Sequence, residues 1–551
     1  MPKRMSVGKY LRIEKTMDKK RCLFVMFGFF FSSFLLRAQP LIHDIEKTML
    51  KATRFMVEEV SNEGGYLWYY LPDFSRCWGE LEAYPSMIWI QNPGTVGMGN
   101  VFLDAWELTE EPYYLKAAEK VVSAVISGQY SEGGWNYVID LSGEESIRRW
   151  YDTIGKNGWR LEEFQHYYGN CTFDDNVTTG AANFLLRFYL IVPENGACKM
   201  ALDKAIDFIL QSQYPFGGWP QRFPPTNEFR KGGSPDYSSY YTFNDGVIRE
   251  NIHFLINCYI QLNDQSLEEP IRKAMDFYLL SQHSTGGWGQ QYDKGLKVAG
   301  ARSYEPVALH PQTTFENAML LLQFYKYTGD ERFLLAVSKA IDWLEKNKLK
   351  KCQNDDGRYT HPTFINPETG RPIYVHRVGS NVMCGYYYCN EDARNLLIHY
   401  HGKCYIPIQE LKEEYYRTKA IPFDKLEKVS LFAEKTEQEK DGLRKIFDLR
   451  RRQQWGTREG EQVDKVLQSM DSRGRWLVKH CMTSHPYVGD GVNCDLTDEY
   501  ACTFVGDETD TSPFLDTSDQ EYISTKAYIQ NMNILMNYIS SFRAGNLNAN
   551  R

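Results

Sequence analysis

The chain has 551 residues, of which 42% are hydrophobic and 24% charged, and this ordinary globular composition excludes a disordered or collagen-like chain. A net charge of −8, from 63 basic and 71 acidic residues, counts against a protein that binds nucleic acid. Aromatic residues make up 14% of the chain, which suits stacking against sugar rings and equally suits an aromatic-rich core.

The N-terminus has the pattern of an export signal. Basic residues at 19–21 precede the apolar run 23–36, which is as long as a signal-peptide core and short for a membrane span. We therefore expect a leader and signal peptide over residues 1–38, and a secreted or periplasmic protein with no membrane association after cleavage. The alternative is an N-terminal membrane anchor.

An internal repeat organises the rest of the chain. Three copies end in Gly-Gly-Trp, at residues 127–135, 211–219 and 280–288, and degenerate copies lie at 64–66 and 357–359. The recurring separation of about 70 residues indicates one helical hairpin per repeat.

Helical periodicity surrounds the repeated motif, as in residues 201–210 before a copy and 246–262 between two copies. Repeated helix pairs with long loops predict an all-α fold, an α/α toroid whose loops form a cleft at one end. We expect the toroid to span residues 39–400. A helical C-terminal extension, 401–551, would close the toroid or pack on it, with 521–542 as the last amphipathic helix.

Two loops carry polar residues that helix packing does not require. Thr-Phe-Asp-Asp-Asn at 172–176 and Thr-Phe-Asn-Asp-Gly at 242–246 each open a predicted helix, one repeat apart. Each loop alone is explained by helix capping. Because equivalent loops of a toroid face the same cleft, their carboxylates could also meet at one hard cation, and oxygen ligands of this kind suit Ca²⁺.

A third loop, residues 300–306, carries Arg302 and Glu305. These two residues could form a surface ion pair of little consequence. Alternatively, Arg302 places a cation in the same cleft, where a set of Asp, Asn and Arg side chains suits an anionic sugar.

Six motifs in sequence resemble the pectate lyases of polysaccharide lyase family ten, and together they cover about residues 170–375. They are Thr172-Phe-Asp-Asp, Gly217-Gly-Trp-Pro-Gln, Thr242-Phe-Asn-Asp, Trp288-x-x-Gln-x-Asp, Ala301-Arg-x-Tyr-Glu-Pro and Glu368-Thr-Gly-Arg-Pro-Ile. The resemblance implies an α/α toroid, dependence on Ca²⁺ and anti β-elimination on polygalacturonate, an acidic polysaccharide.

The same resemblance implies roles for individual residues. Arg302 would be the Brønsted base, Asp174 and Asp245 would hold Ca²⁺, and Arg371 would bind a substrate carboxylate. The substrate would also contact a second group of residues, Asn244, Tyr304 and Trp219. Nearby cations would lower the pKa of the arginine, so we expect the activity to have an alkaline pH optimum. We also expect the protein to be a monomer.

The sequence departs from the family at two places. Gly246 stands where the family often has a second Asp, which removes one potential Ca²⁺ ligand, and residues 307–314 replace a serine-rich stretch. Both departures leave the preferred uronide open.

Two other functions fit the same residues. A uronide-acting hydrolase would draw its acid and base from Asp174, Asp175, Asp245 and Glu305. A non-catalytic polysaccharide-binding protein would stack sugars on the tryptophans of the repeat, Trp135, Trp219 and Trp288. An unsaturated uronide product distinguishes the lyase from both.

Overall fold

The structure is a computed structural model. It describes residues 41–155, 164, 166–226, 236–302, 304–350, 357–378, 386–394, 396, 401–422, 424–426, 430–447, 449, 460–481 and 520–549. The predicted leader, 1–38, lies outside the described residues. None of the described helices is both long and apolar enough to cross a bilayer.

Most of the described helices form a double ring. The inner helices are α2 (Thr95–Thr109), α5 (Val177–Ile191), α7 (Val247–Gln261), α9 (Pro311–Thr328), α11 (Ile408–Lys419) and α14 (Thr525–Ala549). The outer helices are α1 (residues 41–60), α3 (Pro112–Ser127), α6 (Gly196–Ser212), α8 (Glu268–Ser281), α10 (Glu331–Lys346) and α13 (Gly460–Ser469). Two further helices, α4 (Glu144–Thr153) and α12 (Glu437–Ile446), lie in the connections.

Packing follows the hydrophobic pattern of each helix. The inner helix α2 contacts the inner helices α5 and α14, and α5 contacts α7. Outer helices bury one face only: α10 packs its apolar side, which includes Phe333, Val337 and Leu344, between α9 and α11. The architecture is the α/α toroid that the repeat predicts, so the predicted fold class is confirmed.

The repeated Gly-Gly-Trp motif locks each outer helix to the next. The first glycine takes a positive φ and touches a carbonyl of the following outer helix, so that a Cβ on Gly133, for example, would lie 2.3 Å from the carbonyl oxygen of Lys204. The tryptophan is fully buried, and the indole of Trp135 donates to the carbonyl of Val125, ten residues earlier. The same bond recurs at Trp219 and Trp288.

A further copy of the motif, which the sequence pattern alone did not reveal, closes the ring. Gly474 lies at positive φ with the carbonyl of Lys51 in α1 against it, and the indole of Trp476 donates to the carbonyl of Val466 at 3.0 Å. On the inner side, the hydroxyls of Thr53 and Tyr528 share a hydrogen bond of 2.6 Å between α1 and α14. The first and last described helices are therefore neighbours in one ring.

Short strands collect at the end of the ring where the inner helices begin. They are β1 (Tyr69–Tyr70), β2 (Cys77–Trp78), β3 (Glu82–Ala83), β4 (Met87–Trp89), β5 (Val138–Asp140), β6 (Cys171–Thr172), β7 (Arg222–Phe223), β8 (Tyr241–Thr242), β9 (Gln291–Tyr292), β10 (Val298–Ala299), β11 (His361–Pro362), β12 (Phe364–Ile365), β13 (Pro372–Val378), β14 (Tyr386–Asn390), β15 (Lys403–Cys404), β16 (Leu477–Val478) and β17 (Tyr522–Ser524).

These strands tie the loops of each hairpin together. β6 precedes α5 and pairs with β7, which follows α6, and β8 and β9 do the same around α7 and α8. β17 pairs with β1, and β11 pairs with β15 across the expected boundary at residue 400. Residues after 400 thus supply helices and strands of the ring itself. All pairs are antiparallel, so the loops form a rigid rim around the cleft.

Candidate active site

Two matched turns start the inner helices α5 and α7. Asp174–Asn176 and Asn244–Gly246 each form a single 3₁₀ turn whose last two residues lie in the left-handed region. Asp175 and Asp245 occupy equivalent positions, with φ of 48° and 50°. This geometry turns both carboxylates out of the helix path and towards the rim, because a residue in regular helical conformation would continue the helix instead.

Gly246 is the structural counterpart of Asn176, with φ of 72° against 60°. Glycine adopts this conformation without strain, and asparagine tolerates it better than most residues. The departure from the family at Gly246 therefore keeps the turn. The carboxylate that it removes has no counterpart in the first turn either.

Asp174 is buried and receives three hydrogen bonds on one oxygen. Its Oδ2 accepts from the hydroxyl of Tyr137 at 2.6 Å, from Nε2 of Gln221 at 2.7 Å and from Nη2 of Arg302 at 2.9 Å. Among the described residues no donor reaches Oδ1, although it is buried. Asp245 lies within hydrogen-bonding reach of the same carboxyl group. The Oδ2 atom of Asp174 therefore has three donors, whereas the carboxyl group of Asp245 lies beside the same side chain.

Arg302 is buried in the loop that the sequence singled out. Its guanidinium lies between Asp174 and Glu305, whose Oε1 is 3.3 Å from Nη1. Glu305 also accepts the backbone N–H of Arg302 at 3.0 Å, and the N–H of Glu305 donates to the carbonyl of Arg302 at 2.9 Å. Because backbone and side chain are held by the same residue, the guanidinium has one defined position.

Three further carboxyl groups surround Arg302 and its two acidic partners. Asp175 and Asp245 are solvent-exposed at the rim, and Glu80, in the turn between β2 and β3, is half-buried. Although Asp175 and Asp245 are partly open to solvent, the protein around their carboxyl groups desolvates them, and this effect, together with the negative charge of Asp174, raises the pKa of both well above the ordinary range. The same causes raise the pKa of Glu80 to about 7, although Arg302 opposes the shift. Among the described residues, the cluster thus holds more carboxyl groups than Arg302 can balance, which opposes their simultaneous ionisation.

Glutamine side chains fix the orientation of polar groups in the two turns. Gln91 donates to Oδ2 of Asp175 at 2.8 Å and accepts the indole N–H of Trp89 at 2.9 Å. Gln290 donates to Oδ1 of Asn244 at 3.0 Å, in the same way that Gln221 donates to Asp174 one repeat earlier. These contacts form a rigid scaffold, since each glutamine is itself held by backbone or by a buried side chain.

Sequence reasoning missed two members of the cluster as site residues. The sequence includes Asp175 in the loop whose carboxylates could meet a cation and among the candidate acids of a hydrolase, but the family resemblance gives it no role of its own, although alignment of the two Thr-Phe loops makes it equivalent to Asp245. Glu80 has no signal in the sequence, because it lies outside the repeated motifs and reaches the site only through the folding of the N-terminal strands.

The structure places two expected substrate contacts elsewhere. Trp219 is fully buried and donates to the carbonyl of Ile209 at 2.8 Å, so its ring cannot stack on a sugar. Tyr304 is 3% exposed and packs with Phe364 and Val375 in a small apolar cluster below β12 and β13. The prediction that these two residues contact substrate is wrong for this structure, because both side chains are buried in the protein interior.

The other two expected contacts have different surroundings. Asn244 donates to Oδ2 of Asp245 at 2.7 Å, and its oxygen is taken by Gln290, so its described contacts orient its neighbours. Arg371 is exposed just before β13, where it pairs with Glu391 at 3.4 Å. Its role in binding a substrate carboxylate stays a prediction.

The described residues hold no group of three or more His, Cys, Asp or Glu side chains in the arrangement of a metal site. Two features nevertheless fit a hard cation: Oδ1 of Asp174 is buried without a donor, and the carboxyl of Asp245 lies beside it with a raised pKa. A cation held by these two residues would need its remaining oxygen ligands from water or substrate, which Ca²⁺ accepts.

The comparisons with known proteins agree with the sequence resemblance. Residues 149–355 match the family described as Pectic acid lyase. This region contains Asp174, Asp245 and Arg302, and the match confirms the resemblance and the prediction of a polysaccharide lyase. A search of curated proteins found no match.

Two solved structures show limited similarity to this chain. A variant of the family 10 polysaccharide lyase from Cellvibrio cellulosa, in complex with trigalaturonic acid, is 18% identical, covers 50% of this chain and 86% of its own, and has a TM-score of 0.33. Cellobiose 2-epimerase from Bacillus thermoamylovorans B4167 is 12% identical, covers 91% of this chain and 100% of its own, and has a TM-score of 0.37. At this level of similarity neither structure identifies a substrate for this chain.

Proposed function

We propose that this protein is a secreted, Ca²⁺-dependent pectate lyase that cleaves polygalacturonate by anti β-elimination, with Arg302 as the base. The observation that carries the proposal is the contact between Arg302 Nη2 and Asp174 Oδ2 at 2.9 Å, beside the exposed carboxyl of Asp245. It joins a buried arginine to the residues best suited to hold a cation, within the region that matches the pectic acid lyases.

Asp174 and Asp245 would hold the cation, with Asp175 as a neighbouring acid at the equivalent position of the first turn. When bound, Ca²⁺ would neutralise the substrate carboxylate and so make the adjacent C5 proton more acidic. Cation binding would also relieve the repulsion that raises the pKa of Asp245, because an opposite charge favours the ionised carboxylate. The donor set therefore gains from the cation that the reaction needs.

Arg302 would accept the C5 proton at a guanidinium nitrogen. As that proton leaves, the C4=C5 double bond forms and the bond between C4 and its glycosidic oxygen breaks, and the departing oxygen takes a proton from solvent. Arginine is ordinarily fixed in its charged form, and Asp174 and Glu305 reinforce that charge. A cation on Asp174 would offset one of these two carboxylates, which favours the neutral base and an alkaline optimum.

The fold would assist an anionic substrate. The inner helices begin at the rim, so the positive ends of their dipoles point towards the cleft. This effect supplies attraction where the acidic cluster alone would repel, since the described cation of the cluster, Arg302, is already paired with Asp174 and Glu305.

The test is absorbance near 235 nm, where unsaturated uronides absorb, on polygalacturonate at alkaline pH, with Ca²⁺ or with chelator. We expect a rise that chelator abolishes and that Arg302→Ala reduces by about a thousandfold. The matched control is Arg332→Ala, because Arg332 is an exposed arginine at the start of α10 with its own acidic partners, Asp276 and Asp330. Thermal unfolding of both variants shows whether each is folded.

New reducing ends without absorbance at 235 nm would contradict the lyase and favour a hydrolase that uses Asp175 or Asp245 as its acid. Turnover that survives in chelator would contradict the cation. Detection of the mature N-terminus in culture medium or periplasm tests export, and retention of residues 1–38 in the cell would contradict it.

A further inference from the structure

A cavity of about 590 Å³ lies between three of the inner helices, and the proposed elimination does not use it. The inner helices α2, α5 and α14 form its walls. It starts at Asp175 and Asn176 on the rim and extends along α5 to Arg187, which is about 16 Å at the rise of an α-helix. A volume of this size is typical of small-ligand sites.

Asparagines dominate the polar part of the wall. They are Asn92, Asn100, Asn183, Asn533 and Asn537, together with Asn176 at the mouth. An amide carries both a donor and an acceptor, which is the requirement of a sugar hydroxyl, because each hydroxyl also does both.

Several of these amides are uncommitted. Within the described part of the chain the side chains of Asn92, Asn533 and Asn537 form no hydrogen bond, whereas Asn100 accepts from Arg187 at 3.2 Å and Asn183 accepts from Asn257 at 3.2 Å. Three amides, two on α14 and one in the turn before α2, are therefore available to a ligand that enters from the rim.

The charged groups of the wall do not suit an anion. At the deep end Arg187 is paired with Asp104 at 2.6 Å and with Glu107 at 3.2 Å, so its charge is already balanced. At the mouth Asp175 is an acid. A uronate carboxylate would meet no unpaired cation among the described lining residues, and its burial without a partner would be costly. A neutral sugar has no such cost.

The helix sequence keeps the cavity open. Gly97 in α2 lies against Asn92, and a Cβ at this position would be 2.2 Å from Asn92 Oδ1 and 3.1 Å from a methyl of Ile529. Any larger residue would push the amide or α14 into the open space.

We propose that this cavity binds a neutral sugar residue of the substrate. The protein would then have a neutral-sugar subsite directly beside the acidic cluster. Asp175 belongs both to the cluster and to the cavity wall, and Asn176 follows it at the mouth, so a chain held at the cluster can extend into the cavity without a gap. The substrate role rests on the proposed function, whereas the class of ligand rests on the wall alone. The preferred substrate is then a uronide chain that carries neutral sugars, as a neighbour in the backbone or as a branch.

The test is calorimetric titration of the full protein, in chelator, with galactose, arabinose, rhamnose and xylose, and with digalacturonate as the charged comparator. We expect at least one neutral sugar to bind, and the double variant Asn533→Leu with Asn537→Leu to weaken that binding at least fivefold, while digalacturonate is unaffected. The matched control is Asn531→Leu, which makes the same substitution on α14 at a position that does not line the cavity.

Loss of neutral-sugar binding in the double variant, with retention in Asn531→Leu and unchanged thermal unfolding, supports the proposal. Absence of any neutral-sugar binding by the wild type, or equal binding by the double variant, overturns it. Neither result depends on turnover. A protein that binds neutral sugars here and yields no unsaturated product would refute the proposed lyase and leave the assignment of the cavity intact.

Discussion

Arg302 and Asp174, separated by 128 residues along the chain, form an ion pair of 2.9 Å in which both side chains are buried. Asp174 begins one inner helix, and Arg302 lies in the loop before another. The pair is therefore a contact between two repeats of the ring, and every charged group of the cluster is arranged around it. Removal of Arg302 would leave the buried carboxylates of Asp174 and Glu305 without the cation between them, whereas removal of Asp174 would leave Arg302 paired with Glu305.

Glu305 should position Arg302 rather than react. In Glu305→Gln the amide oxygen can still accept the N–H of Arg302, while one of two negative charges that favour the charged guanidinium is lost. We expect the limb of the pH–rate profile in which the rate rises with pH to shift to lower pH, and the maximal rate to fall about tenfold. An exposed control, Glu316→Gln on α9, should change neither. A variant with reduced rate and an unshifted profile would argue for a purely structural role.

The pKa of Glu80 predicts how stability depends on pH. Its pKa is raised to about 7, so the folded protein binds this proton more tightly than the unfolded chain, where the ordinary value is about 4.3. The contribution is present below the ordinary pKa and is lost as pH rises through 7. In chelator, the unfolding temperature of the wild type should fall from pH 5 to pH 8, and that of Glu80→Gln should fall less.

The control for this measurement is Glu119→Gln, which changes an exposed glutamate on the outer helix α3. Its unfolding temperature should follow the wild type across the pH range. Added Ca²⁺ should raise the unfolding temperature more at pH 8 than at pH 5, because the cation competes with protons for the same carboxylates. Parallel curves for wild type and Glu80→Gln would contradict the raised pKa.

Gly246 should be required for the shape of the second turn. Its φ of 72° strains any residue with a Cβ, and the nearest group to such a Cβ, the guanidinium of Arg249, can move aside. We expect Gly246→Ala to destabilise the protein by about 1–2 kcal/mol and Gly246→Asn by less, since Asn176 adopts the same conformation in the first turn. Chemical denaturation measures both, with Gly196→Ala in open space at the start of α6 as a neutral control.

Trp219 should act on stability and not on substrate binding. Its ring is fully buried, and its indole N–H is satisfied by the carbonyl of Ile209. Trp219→Phe removes that bond and part of the packing, so we expect a loss of about 2–4 kcal/mol in unfolding free energy with KM unchanged. A raised KM of Trp219→Phe at unchanged stability would contradict this prediction and indicate that the ring of Trp219 stacks on the substrate.

The sequence by itself determined the ring. A motif that recurs about every 70 residues can bury its tryptophan only when each copy docks on the next outer helix, so the period and the motif together dictate a toroid. The sequence also located the two Thr-Phe turns and the arginine loop, because their polar residues have no use in helix packing. These features are local: each can be read from fewer than ten consecutive residues.

Only the tertiary structure decided which side chains share the site. Glu80 and Gln91 arrive from the first strands, outside the motifs, and Gly474–Trp476 closes the ring after a spacing that the period does not predict. The side chains of Trp219 and Tyr304 are buried because they fill space in the protein interior. A sequence motif does not show which side chains the fold buries in this way. The pairing of Asp174 with Arg302 is likewise decided by closure of the ring, since electrostatic interactions depend on distance in space and not on separation along the chain.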